Sequence, residues 1–293
     1  MIFDLHITLT ICTRHRPELL EACLRSLLRQ KVPDRVRRDL IVCENDDQPK
    51  AKALCDSLGP RVIYVQEPEP GLSSARNRAI ETALDMDCDW IGFIDDDEQA
   101  EPGWVEALTA EIRRDRADVI TGPVTRAYET SPSAWYSPFD ENRKPTGAVS
   151  KTIEAGKTVC RRHLFDADGL ALRFDPRLRF VGGEDSDLFG RARAAGVRFV
   201  WCDEMVADEF WTAARLTRMF HLRRALRRAE SRVYILSKRH SRLAAVPMSL
   251  AKSTIWSRET APCRIHQAWE KLFAGWGGLR GSLGFLSEPY RGR

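Results

Sequence analysis

Trp90-Ile91-Gly92-Phe93-Ile94-Asp95-Asp96-Asp97-Glu98 is the stretch on which the fold turns. Its first five residues are apolar or small and too few for a helix, so they read as a buried strand. Four carboxylates follow at once. In open α/β sheets, ligands bind just beyond the carboxyl ends of strands. Adjacent carboxylates repel one another and stay ionised together when a cation joins them. Strand alternation sends Asp95 and Asp97 to one side and Asp96 to the other. Asp97 is therefore the candidate metal ligand, and Asp95 a candidate for the metal or for a ribose hydroxyl. An acidic, solvated turn has the same composition, so the neighbouring segments must decide.

Working outward, strand and helix signals alternate. Ile7–Ile11 reads as a strand. Leu19, Leu20, Cys23, Leu24, Leu27 and Leu28 recur at helical spacing behind Pro17, a residue suited to a first helical turn. Leu40–Cys43 and Val62–Val65 read as strands. Ser73 or Ser74 is placed to cap a helix carrying Ala75, Ala79, Ile80 and Ala83. Trp104, Val105, Leu108 and Ile112 mark another helix and Val119–Gly122 another strand. This rhythm predicts an α/β fold: a mainly parallel central sheet flanked by helices, with a Rossmann-like nucleotide-binding half. Residues 125–158 lose the rhythm and read as a long loop region. A short helix then runs to Gly196, and Phe199–Trp201 reads as a final strand. Leu222, Leu226, Ala229, Val233 and Leu236 line one side of a long helix, which places His221 on its surface.

Three further clusters accompany the aspartates. Gly182-Gly183-Glu184-Asp185 lets the backbone pass close to a ligand and then opens a helix with carboxylates, one of which can take a proton from a hydroxyl. Pro70-Gly71-Leu72-Ser73-Ser74-Ala75-Arg76-Asn77 opens a helix and supplies Arg76 to balance anionic charge. Glu44-Asn45-Asp46-Asp47 follows a strand and offers acceptors to a nucleobase or ribose. Each alone is commonplace. All four fall on the same edge of one predicted sheet.

Composition narrows the class. The chain has 293 residues, 43% hydrophobic, and no run approaches the roughly 18–20 apolar residues of a membrane span. Its opening strand is interrupted by Asp4, His6 and two threonines, so a signal peptide is not expected. The 8 cysteines lack CxxC spacing and read as small core residues in a reducing cytosol. The net charge of +4 is uneven: from Trp211 onward there are 17 Lys/Arg against 4 Asp/Glu, net +13, so residues 1–210 carry −9. A domain over 1–210 and a basic, helical extension over 211–293 follow. The extension's arginines (215, 218, 223, 224, 227, 228), with Trp256, Trp269, Phe273 and Trp276, suit an anionic membrane surface. No nucleic-acid-binding motif is present, and nucleic acid is not expected as a partner.

The ordered motifs resemble the inverting family 2 glycosyltransferases of GT-A fold, over roughly residues 5–215. Thr10-Ile11-Cys12-Thr13-Arg14-His15-Arg16-Pro17, followed by Leu24-Arg25-Ser26-Leu27, looks like the family's opening strand and helix. Asp95-Asp96-Asp97 fits its DxD motif and Gly183-Glu184-Asp185 its ED motif. The similarity extends to bacterial exopolysaccharide glucosyltransferases of the succinoglycan type. It implies that Thr10, Thr13, Arg16, Glu44, Asp46, Arg76, Asp95 and Asp96 hold a nucleotide-diphosphate sugar. Asp97 with Asp95 and Glu209 would hold Mg2+ or Mn2+. Asp185 would be the base, and Glu184 would orient the acceptor. Glu44 stands where the family usually has Asp, and Asp208-Glu209 where many members carry a His ligand. The implied acceptor is a carbohydrate or a polyprenyl-diphosphate-linked glycan, and the implied place is the cytoplasm or the cytoplasmic face of the inner membrane. A nucleotidyltransferase would carry a Gly-rich loop after the first strand, which Thr13-Arg14-His15-Arg16-Pro17 is not. A catalytically inactive nucleotide-sugar-binding adaptor of the same fold would have no need of Asp95, Asp97 and Asp185.

Overall fold

The computed structural model describes residues 3–133, 135–136, 143–150, 155–238, 245, 247–248 and 264–284, the side chains of 264–270 excepted. Trp256 and the side chain of Trp269 lie outside this set. The chain divides into two compact units, one comprising 1–126, 141–176 and 184–209, the other 127–140, 177–183 and 210–293.

In the first unit, β1 (Leu5–Thr13), β2 (Val36–Glu44), β3 (Val62–Gln66) and β4 (Trp90–Asp95) are parallel. They form part of a seven-stranded sheet ordered β3-β2-β1-β4-β8-β6-β9, completed by β6 (Val119–Thr121), β8 (Thr158–Arg161) and β9 (Phe199–Trp201). β8 alone runs antiparallel to its neighbours, β4 and β6. A second, three-stranded sheet is ordered β5-β10-β7, from β5 (Glu98–Ala100), β7 (Val124–Tyr128) and β10 (Ala207–Trp211).

The alternation of side chains on β2 and β4 separates two cores. Leu40, Val42, Trp90 and Ile94 join α1 (Pro17–Leu28) and α4 (Trp104–Arg113) on one face. Ile41, Cys43, Ile91 and Phe93 join α3 (Leu72–Asp85) and α5 (Glu184–Ala194) on the other. A short α2 (Lys52–Ser57) packs beside β3. Phe93 meets Phe165 and Phe174 edge-on, with centroids 6.0 and 5.5 Å away. Strand register brings the sheet's carboxyl ends level: Thr13 lies beside Glu44 and Cys12 beside Asp95.

Several sequence expectations are corrected. Residues 125–158 are not one loop, because β7 begins at Val124 and β8 at Thr158; β7 is only half-buried, so no apolar run betrays it. Phe199–Trp201 is not the last strand, since β10 follows, its Asp208 and Glu209 disguising it. Neither Ser73 nor Ser74 caps α3. The helix starts at Leu72 with Gly71 as its N-cap residue, placing both serines inside the first turn. Asn45 sets this start by accepting from the Gly71 N–H at 2.6 Å and donating to the Glu67 and Glu69 carbonyls. The seven described cysteines are free, six of them buried.

The second unit holds α6 (Arg218–Ser237) and α7 (Arg264–Ser282), packed together. α6 begins at Thr217, whose side chain accepts from the Phe220 N–H. Its buried line is His221, Ala225, Ala229 and Val233, while Leu222, Leu226 and Leu236 are half-buried. His221 is therefore not a surface residue. It packs among Trp135, Tyr136, Trp211 and Phe220, with centroids 5.1–6.1 Å away.

Gly122, just past β6, allows the connection between β9 and β10 to cross the sheet's end. A Cβ there would run into the Met205 carbonyl oxygen and approach the Cys202 carbonyl at 3.0 Å. Backbone cannot move aside as a side chain can. Gly122→Ala is expected to lower unfolding free energy by roughly 1–3 kcal/mol, measured by urea titration.

Candidate active site

Parity along β4 explains the centre of the site. Asp95 continues the side of Ile91 and Phe93 and so faces α3 and α5. There Arg76 of α3 donates to Asp95 at 3.0 Å and to Glu184, the first residue of α5, at 2.7 Å. Its guanidinium lies 5.4 Å from the Phe174 ring centroid. Arg76 and Glu184 are 4% and 5% exposed, so that prong is shielded from water, while the Asp95 side chain at the other prong is 46% exposed. The planar arginine fork suits this bridging, which a lysine's single ammonium would not reproduce. Burial works against the charge of Arg76, yet Asp95 and Glu184 hold its pKa above the usual arginine value. Burial pushes the Glu184 carboxyl up to about 7, against the pull of Arg76 and with a further push from Asp185.

Asp185 is partly exposed beside this buried pair, and its carboxylate accepts from the Ser186 N–H at 2.6 Å. Gly182 and Gly183 precede it with φ of +88° each, in the region that glycine occupies without strain. Asn77 of α3 clamps the segment leading toward it, donating to the Phe174 carbonyl and accepting from its N–H at 2.9 and 2.8 Å.

On the other face, Asp96 accepts from the Thr13 hydroxyl at 2.8 Å and from Arg16 at 3.0 Å, and Arg16 also reaches Asp97 at 3.4 Å. The expected grouping of Asp95 with Asp97 against Asp96 is thus not what the fold produces. The chain turns at Asp96-Asp97 before entering β5, and strand alternation ends with the strand. Asp95 serves Arg76, while Asp96 and Asp97 share Arg16.

Two expected nucleotide contacts sit a layer further back. The Thr10 hydroxyl is buried and donates to the Gly92 carbonyl. The Glu44 carboxylate is also buried, accepting from the Ala51 N–H at 3.0 Å and the Tyr64 hydroxyl at 2.8 Å. Asp46 is buried too, held by the exposed side chains of His15 at 3.0 Å and Lys50 at 3.6 Å.

The sequence reading missed Glu98. It is buried, accepts from the Asp95 N–H at 3.0 Å, and stands directly opposite Glu209 in the β5–β10 pairing. Burial, then the charge of Asp95, raises its carboxyl well above the usual range. Glu98 was visible as a fourth acid after the strand, but its partner is over a hundred positions away in a strand that went unrecognised. Among the described residues no three His, Cys, Asp or Glu side chains converge as a ready-made metal cage. Asp95 is turned to Arg76, Asp97 to Arg16 and Glu209 to Arg126. What is present is a concentration of hard carboxylate oxygens from Asp95, Asp97, Glu98 and Glu209. Such donors suit Mg2+ or Mn2+.

Residues 8–174, which hold the DxD segment and Arg76, match Glycosyl transferase family 2. The chain belongs to that family. Over 210 residues it is 33% identical to the succinoglycan biosynthesis protein ExoM of Rhizobium meliloti, spanning 70% of this chain and 67% of ExoM. A shorter stretch is 25% identical to glycosyltransferase GlyA of Streptococcus pneumoniae, spanning 42% of this chain and 17% of GlyA. Among solved structures, S. aureus TarS 1–349 is similar with a TM-score of 0.56 at 13% identity, covering 96% of this chain and 92% of that one. GalNAc-T7, crystallised with UDP, GalNAc and Mn2+, also gives 0.56, at 15% identity and over 76% and 47% of the two chains. The architecture is the GT-A fold, and this family 2 member is a glycosyltransferase.

Its Glu184 makes stability pH-dependent. The folded carboxyl titrates at about 7 against 4.5 for the ordinary group, so the folded form holds the proton more tightly. That contribution is full below the unfolded value and is lost as pH rises through the folded one. Between about pH 5 and pH 8 the unfolding free energy from urea titration is expected to fall, and Glu184→Gln should reduce that drop by on the order of 2 kcal/mol.

Proposed function

We propose that this glycosyltransferase moves a sugar, with inversion, from a UDP-sugar to an acceptor hydroxyl during assembly of a bacterial exopolysaccharide or glycolipid. The observation that carries the proposal is the Arg76 bridge. It gathers Asp95 at the end of β4 and the Glu184-Asp185 pair at the start of α5 into one cluster, although they are ninety positions apart. The likeness to ExoM supports an exopolysaccharide product. TarS crystallised with UDP-GlcNAc and GalNAc-T7 with UDP and Mn2+ support a UDP-sugar donor. The proposed acceptor is a carbohydrate or a polyprenyl-diphosphate-linked glycan, met on the cytoplasmic side of the inner membrane.

In this scheme Thr13, Arg16 and Asp46 face the nucleotide, and Thr10 and Glu44 stiffen the strand ends behind them. Asp97, with Asp95 and Glu209, would hold Mg2+ or Mn2+. When bound, the cation supplies Lewis-acid stabilisation of the leaving diphosphate. Arg16 is partly exposed beside Asp97 and can turn from its carboxylates to the diphosphate oxygens. Asp185 takes the proton of the acceptor hydroxyl. The acceptor oxygen forms its bond to the anomeric carbon from the face opposite the diphosphate, whose C–O bond breaks with its electron pair. Glu184, fixed by Arg76 at the first position of α5, holds the adjacent Asp185 in place.

Two variants test the assignment. Asp185→Asn is expected to lower kcat roughly 100- to 10,000-fold with little change in donor affinity; an unimpaired kcat removes Asp185 from the base role. Asp97→Ala is expected to abolish the gain in UDP-sugar affinity that Mn2+ confers, followed by titration calorimetry with and without the cation. Donor hydrolysis across a panel of UDP- and GDP-sugars with Mn2+ tests the transferase assignment itself, which fails if no donor is hydrolysed.

A further inference from the structure

In the second unit, α7 presents two unlike faces. Its inner face is made of small residues. Gly277 sits so close to α6 that a Cβ would strike the Leu226 carbonyl oxygen, and one at Gly281 would lie 3.0 Å from the Glu230 carbonyl oxygen. Ala274 is buried on the same side. Arg280 donates to the buried Glu230 of α6 at 2.7 Å, fixing the rotation of α7 about its own axis. With the small residues turned inward, the bulky ones face out. Leu272 is 64% exposed, Trp276 58%, Leu279 48% and, one residue past the helix end, Leu283 66%. Their spacing of four, three and four places them in a single stripe along the helix. Four large apolar side chains in one continuous line are not ordinary scattered surface residues.

We infer that the outward stripe of α7 (Leu272, Trp276, Leu279 and Leu283) docks this protein onto an anionic phospholipid surface. Charge identifies the occupant. Residues 211–293 carry a net +13, Lys271 is exposed next to Leu272, and Arg218 and Arg223 are exposed on α6. Basic groups reach lipid phosphates while leucines and an indole enter the headgroup boundary. The same charge disfavours a second copy, whose stripe would bring a like-charged surface against this one. No described helix is long and apolar enough to cross a bilayer, so the contact lies in the plane of the interface. Of the aromatic residues that composition suggested, Trp276 lies in the stripe and Phe273 is half-buried; the other members of the stripe are leucines.

The test uses the full chain and flotation with vesicles of phosphatidylglycerol and phosphatidylcholine, beside vesicles of phosphatidylcholine alone. The wild type is expected to float with the anionic vesicles, less so as salt is raised, and poorly with the neutral ones. Leu279→Glu with Leu283→Glu should lower partition by about tenfold or more. Trp276→Ala, which adds no charge, should lower it severalfold. Unchanged thermal melts and unchanged donor hydrolysis separate loss of docking from loss of fold and from failure of the transferase assignment. Equal flotation of wild type and variants overturns the inference, as does a wild type that stays with the soluble fraction. A wild-type dimer in light scattering that the double variant makes monomeric, without flotation, overturns it in favour of self-association.

Discussion

A buried guanidinium bound to two carboxylates is the constraint on which the site rests. Removing a charge from water costs several kcal/mol, and that cost is offset only when its partners are close and well aligned. Arg76 meets the condition with Asp95 and Glu184 at 3.0 and 2.7 Å and with Phe174 beneath it. Take Arg76 away and the buried Glu184 carboxylate loses its cation, while Asp95 stays open to water. The arginine therefore holds β4, α3 and α5 in a fixed relation, and the partly exposed Asp185 inherits its position from that relation.

Arg16 repeats the device on the opposite face. It joins Asp96 and Asp97 at the start of α1, as Arg76 joins Asp95 and Glu184 at the start of α3 and α5. The difference is exposure: the Arg16 side chain is 43% exposed and that of Arg76 5%. One arginine is a rivet and the other a latch that solvent can loosen.

Much of this was legible in the sequence. The apolar runs Leu40–Cys43 and Trp90–Ile94, set in a rhythm of strands and helices, pointed to buried strands of a mainly parallel sheet, and the acids after them marked its candidate functional edge. Elements with weak apolar signatures were not legible. β7 is half-exposed throughout, β5 is only three residues long and follows an acidic turn, and β10 carries Asp208 and Glu209. Sequence also placed Asp97 with Asp95, because alternation was extended through a turn that ends it. Arg76 was recognised as a cation near the site, but its partner Glu184 lies 108 positions away, and only packing discloses that pairing. His221 was misplaced for a related reason. The buried line of α6 is set by alanines and a histidine among aromatic rings, which hydrophobic spacing does not favour over leucines.

The lone antiparallel strand has a consequence for how the molecule is made. β8 fills the gap between β4 and β6, yet it is synthesised after both. As the nascent polypeptide leaves the ribosome, β1 to β4 can assemble from contiguous sequence. The open edge of β4 must then wait until Thr158–Arg161 emerges, and β6 and β9 cannot join the sheet before that. An unpaired edge is sticky toward other chains. Closure of the sheet thus depends on a four-residue strand, and the longer its emergence is delayed, the longer the edge of β4 stays unpaired.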